Sequence, residues 1–188
     1  MHWTGAWILL VFSAATIALM LFLLHLTRLG KLVHDTIPDR PRRRIFLAWV
    51  SFFVTFLAVR LLVAAITHHI GPFQFVTMGG RHIHHLVWGI LLLLIVGFAW
   101  LAELDAGQTP SAIFWGRLLS MLYGAAAALT LDEFALWLNL KDVYWARQGR
   151  ESIDAVVLFG ALLAVGAFGA PLFSSITGLR AGPAEKPR

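Results

Sequence analysis

The sequence predicts an all-α polytopic membrane bundle of five transmembrane helices, with the N-terminus outside and the C-terminus cytoplasmic. Three observations carry this expectation. First, 59% of the 188 residues are hydrophobic and only 13% are charged, with a mean hydropathy of +0.77. A soluble domain carries about 25% charged and about 45–50% apolar residues, and a soluble fold of this size has no room to hide the excess. Second, five runs reach the roughly 20 apolar residues that crossing a bilayer requires. Third, Lys and Arg are spread unevenly over the connections, which is the signal that sets orientation.

The five spans read as Trp7–Thr27, Ile45–His69, His85–Glu103, Ile113–Leu138 and Ala155–Gly178, one transmembrane domain over residues 1–178. None alternates as a barrel strand does. Trp7, Trp49, Trp88, Trp100, Trp115 and Trp137 fall near span ends, where an interfacial belt belongs. The first span has no basic leader and is too long for a signal-peptide core, so it is expected to stay in the mature chain. The first connection holds Arg28, Lys31, Arg40, Arg42, Arg43 and Arg44, and the tail holds Arg180, Lys186 and Arg188. The positive-inside rule places both in the cytoplasm, and an odd number of spans agrees with opposite ends. Residues 179–188 read as a disordered cytoplasmic tail. The expected location is the cell inner (plasma) membrane.

The net charge of +5 is accounted for by this topology, so nucleic acid is not an expected partner. The basic 28–44 connection is expected to attract anionic lipid, at about 1 kcal/mol per charge near the surface. A homo-oligomer is left open. The absence of cysteine excludes disulfides, thiolate zinc sites, iron–sulfur clusters and thiol catalysis.

Polar residues are the informative ones in such a chain, because each is costly in lipid unless paired or hydrated. They concentrate in one layer: His68 and His69 at the end of the second span, Arg81, His82, His84 and His85 before or at the third, Asp132 and Glu133 late in the fourth, and Glu151 and Asp154 before the fifth. The topology puts all of them on the outer side. A third span starting near Arg81 would set His82 and His85 on one helix face, with His84 pointing elsewhere. Gly124, Ala128 and Asp132 form a stripe on the fourth span, and small residues allow close helix approach in lipid, so Asp132 is expected on a packed seam. Imidazole with carboxylate suits a divalent metal, zinc first and iron or manganese as alternatives.

The candidate metal ligands are therefore His82, His84, His85, Asp132 and Glu133. Asp132 or Glu133 would serve as general base, and His68, His69, Arg60, Arg81 and Asp154 would be supporting or alternative groups. A metal here would lower the pKa of a bound water, which points to a metal-dependent hydrolase acting on a lipid or membrane-adjacent substrate. The same residues also fit a structural ion-pair network or a histidine pH sensor. Arg60 lies past the middle of the second span and requires a partner. Glu133 or Asp132 at matched depth is expected, as a lock between spans two and four or as an anion clamp. The polar, aromatic segment 139–154 is long for a helix connection and would fold over the polar layer or lie in the interface.

Gly80-Arg81-His82-Ile83-His84-His85, Leu131-Asp132-Glu133-Phe134-Ala135-Leu136-Trp137 and Asp142-Val143-Tyr144-Trp145 together resemble a group of small bacterial, mainly actinobacterial, multi-pass integral membrane proteins. The resemblance runs over residues 45–160 and implies a membrane protein. It brings no activity, cofactor or residue role. Two other classes of function stay open beside the hydrolase: a proton or divalent-cation transporter or channel, and a structural or accessory membrane subunit. Few polar residues in the inner halves of the spans disfavour the former. Haem ligation is a minor alternative.

Overall fold

The computed structural model describes residues 28–37, 39–71, 73–75, 77, 78, 81–140, 144 and 147–169, with the single positions 15, 18 and 22; at 29, 77, 78, 81, 82 and 148 only the backbone is described. The described residues are mostly helical. In order, the elements are α1 (Arg28–Thr36), α2 (Arg40–Thr67), a two-residue strand pair β1 (Thr77–Met78) and β2 (Arg81–His82), α3 (His85–Leu101), α4 (Pro110–Leu131), a short α5 (Phe134–Asn139) and α6 (Arg150–Phe168). The strands pair antiparallel, Thr77 opposite His82 and Met78 opposite Arg81.

Helix ends follow local chemistry. α2 opens behind Asp39 with a proline in its first turn, where the missing N–H costs nothing. It closes with His69 in the left-handed region at φ 56°, while His69 N donates to Ile66 O and Ile70 N to Ala65 O. This double bond pattern satisfies carbonyls that a helix end leaves open. α3 closes the same way: Glu103 sits at φ 53°, with Glu103 N bonded to Trp100 O and Leu104 N to Ala99 O. α4 opens on Thr109, whose Oγ1 accepts from Ala112 N at 3.2 Å, with Pro110 next.

Among the described residues, three helices are long and apolar enough to cross a membrane: α2, α4 and α6. At about 1.5 Å per residue, the 28 residues of α2 run about 42 Å. The 17 residues of α3 run about 26 Å, slightly under a hydrocarbon layer of roughly 30 Å. Of the five expected spans, the first lies outside the described residues apart from those single positions. The fourth is not one continuous helix. Hydropathy carries it to Leu138, but α4 stops at Leu131, and Asp132 and Glu133 occupy a break before α5.

α4 is the hub, packed along α2 on one side and α3 on the other, while α6 rests mainly on α2. Small residues set the spacing. A Cβ on Gly124 would lie 2.1 Å from the Ala48 carbonyl oxygen, and one on Gly89 would lie 2.5 Å from Thr130 Oγ1. The α2 and α4 backbones thus meet at the stripe that leads up to Asp132. Ser51 Oγ donates to Met121 O at 2.7 Å across this seam. Aromatic rings fill the space between α2 and α6, where Phe52 meets Phe53 and Phe159 edge-on. Outward positions are apolar, with Leu94 and Phe98 on α3 and Leu158 and Leu162 on α6 all exposed, as lipid-facing surfaces require.

At the end of the bundle opposite the histidines, arginines of the basic connection bond to the chain itself. Arg40 Nη2 donates to Asp105 O at 2.6 Å and to Ala112 O at 3.3 Å. Arg44 pairs with the Asp105 carboxylate. Arg42 Nε donates to Ala167 O at 3.0 Å, and Arg43 Nη1 meets His34 Nδ1. These bonds satisfy carbonyls at helix ends and loops and tie α2 to the α3–α4 connection and to the end of α6.

Candidate functional site

The break between α4 and α5 aims two consecutive carboxylates inward. Asp132 closes α4, its N–H bonded to Ala128 O. Glu133 then turns to φ −108° and ψ 24°, which leaves the helical path. Two hydroxyls shape the kink. Thr130 Oγ1 donates back to Ala126 O at 2.8 Å, a bond that tends to bend helices. Ser152 Oγ on α6 accepts from Ala135 N at 2.9 Å, which satisfies one of the N–H groups that the start of α5 leaves free.

Asp132 is fully buried, at 0% exposure. Its Oδ1 accepts from Arg60 Nε of α2 at 2.5 Å. Its Oδ2 faces His85 Nε2 of α3 at 3.0 Å and accepts from the Tyr144 hydroxyl at 2.9 Å. Glu133 is 7% exposed. Its Oε1 meets His84 Nδ1 at 2.6 Å, and its Oε2 accepts from Leu86 N at 2.9 Å. The last bond makes Glu133 the cap of α3, since Leu86 carries one of the unpaired N–H groups of that helix's first turn. A carboxylate there also faces the positive end of the helix dipole.

The cluster pairs acidic with basic groups. Two carboxylates face one guanidinium and two imidazoles. His85 lies between the carboxylates, with Nε2 3.0 Å from Asp132 and Nδ1 3.5 Å from Glu133. In a weakly polar setting such pairing of acidic and basic groups separates a tolerable polar layer from a prohibitive one.

Tyr144 covers the guanidinium. Arg60 Cζ lies 4.4 Å from the centre of the Tyr144 ring and 5.3 Å from that of Phe56, within cation–π range. Burial first, and then the negative charge of Asp132, push the Tyr144 hydroxyl well above the usual phenol pKa. It therefore remains a hydrogen-bond donor to Asp132. A narrow cleft beside it is lined by Glu133, Ala135, Leu136, Tyr144 and Ser152.

Of the residues singled out from sequence, Arg60, His84, His85, Asp132 and Glu133 meet here. The side chains of Arg81 and His82 lie outside the described residues. The expected shared helix face of His82 and His85 does not form: Arg81 and His82 are in β2, and α3 begins only at His85. His84, expected to point toward another helix or the surface, holds Glu133 after α4. His68 and His69 are exposed at the end of α2, Asp154 is exposed on α6, and no hydrogen bond or ion pair among the described residues joins them to the acids. Tyr144, Ser152 and the Leu86 amide have roles that sequence reasoning missed. Tyr144 had a signal, since it lies in a segment expected to fold over the layer. The other two had none.

Among the described residues, no three His, Asp or Glu side chains are arranged to hold a metal ion. The donor chemistry agrees. Each of the four carboxylate oxygens already meets a donor group of the protein, and a dication at Asp132 would sit against the Arg60 charge. No protein family, curated protein or solved structure matches the chain.

Proposed function

We propose that this chain is a multi-pass protein of the plasma membrane that serves as a structural or accessory membrane subunit, its polar layer acting as a lock of paired acidic and basic groups. One observation carries the reading: all four oxygens of Asp132 and Glu133 are occupied by groups from α2, from the start of α3 and from the connection at Tyr144. Such a network draws three separated stretches onto the α4–α5 break. By the positive-inside rule the lock faces outward and the Arg40–Arg44 end faces the cytoplasm. Five spans then result from α2, α3, the α4–α5 pair, α6 and the run 7–27. The seam below the lock carries Phe52, Val59 and Met121 among its buried residues, which gives little support to a proton or cation path through one copy.

A second reading, the divalent-metal hydrolase, is favoured by the imidazole–carboxylate pairs, because metal-bound imidazoles generally pass their other nitrogen to a carboxylate. Under it, His84 and His85 with His82 hold zinc, iron or manganese, and Asp132 and Glu133 support them. Elemental mass spectrometry and thermal unfolding on the purified protein separate the two. The lock predicts no stoichiometric metal, and large losses of melting temperature in Asp132→Asn and Glu133→Gln. One metal per chain, lost in His84→Ala, supports the hydrolase and overturns the lock.

A further inference from the structure

The lock leaves one strong group half used. Arg60 bonds Asp132 through Nε alone. Neither Nη1 nor Nη2 hydrogen-bonds to any described residue. The side chain is 21% exposed. Leu57, one turn back on the same helix, and Leu61, the next residue, are 60% and 62% exposed, so Arg60 lies beside an apolar surface.

A free arginine at this depth would normally extend toward water. This one is held: Asp132 fixes the Nε edge, and Phe56 and Tyr144 lie against the guanidinium. Arg60 is eight positions before His68, the residue that caps α2, about 12 Å along the helix axis. Unpaired N–H donors in an apolar layer cost free energy until an acceptor reaches them. Because the fork is pinned, the acceptor must come to it.

We propose that the Arg60 fork is a binding site for a phosphate group. The two terminal nitrogens present N–H donors side by side, a match for two oxygens of one oxyanion. Asp132 occupies the third edge, so the ligand binds end-on. Phosphate is the oxyanion that a bilayer itself supplies, as a lipid headgroup, and it is equally available free. Asp132 does not repel it strongly, because His85 and Tyr144 as well as Arg60 share that carboxylate.

The test titrates purified protein, in a neutral maltoside detergent, with inorganic phosphate, with dihexanoyl phosphatidylglycerol and with a phosphate-free dihexanoyl glycerol. Binding is read by phosphorus NMR line width and calorimetry. Wild type should bind at least one phosphate probe saturably and the glycerol not at all. Phosphatidylglycerol alone identifies a lipid headgroup as the source; binding of both identifies the free oxyanion as sufficient. Arg60→Lys, which keeps a cation for Asp132 but has no fork, should weaken binding at least tenfold. The paired change Arg60→Gln with Asp132→Asn removes both charges, preserves folding better than either alone, and should abolish binding. Wild type that binds neither phosphate probe overturns the proposal, as does unchanged affinity in a folded variant of either kind. These results are independent of the lock, which is read by melting temperature.

Discussion

Asp132→Asn isolates the strongest link in the polar layer. The amide keeps the size of the side chain and an acceptor oxygen for Arg60, but the negative charge is lost. Arg60 then carries an uncompensated charge beside a fully buried position. Breaking one side of a buried pair costs about 3–5 kcal/mol. Arg60 is 21% exposed, and Asn still accepts a hydrogen bond, so the low end, about 3 kcal/mol, applies. At about 2–4 °C per kcal/mol for a chain of this length, the melting temperature should fall by roughly 6–12 °C. Arg60→Gln should cost a similar amount, because Asp132 is then left with His85 and Tyr144 alone. The two together should cost less than the sum of the singles by at least about 2 kcal/mol, since removing both charges leaves nothing stranded. Thermal unfolding in detergent, followed by size-exclusion chromatography, reads all four corners of the cycle. Additive effects, or a single-variant loss below about 1 kcal/mol, would refute the claim that this pair locks α2 to the α4–α5 break.

Three further outcomes are expected. Gly124→Ala drives a methyl group toward the Ala48 carbonyl and should destabilise the chain by about 1–3 kcal/mol, whereas Gly97→Ala, with nothing within 4 Å of its added carbon, should be neutral or stabilising by up to about 1 kcal/mol; equal effects at both positions would contradict the close α2–α4 approach. Ser152→Ala leaves the buried Ala135 N–H without its acceptor and should cost about 1–3 kcal/mol, detectable in the same unfolding assay. In a Tyr123→Phe background, the ultraviolet signature of phenolate should fail to develop around the ordinary pKa of 10.0. The unfolded chain binds fewer protons than the folded one above that pH, so stability falls as pH rises past it, and Tyr144→Phe should remove this slope.

Hydropathy was enough to find α2, α3, α4 and α6, because twenty-residue apolar runs have few other uses. The partnership of Arg60 with Asp132 was also legible: an intramembrane cation needs an anion, and spans two and four run the same way and bring the two to similar depth. The break at Asp132 and Glu133 was not. Phe134 to Leu138 continues the apolar run, and the interruption depends on bonds from other elements, those of Ser152 to Ala135 and of Arg60 and His85 to Asp132. The third span reads from His85, where α3 does begin; a start near Arg81 fails because Arg81 and His82 pair with Thr77 and Met78 in a short hairpin, and Glu133 caps the helix at Leu86. No local pattern announces a cap that lies 47 residues away.

Solid-state NMR in lipid bilayers provides the most direct check, with nitrogen-15 in the histidine rings and carbon-13 in the aspartate and glutamate carboxyls. Dipolar recoupling should report two histidines at hydrogen-bonding range of carboxyl carbons, one signal lost in His84→Asn and the other in His85→Asn. Spectra in which no imidazole nitrogen of wild type lies within that range of a carboxyl carbon would contradict the proposed lock.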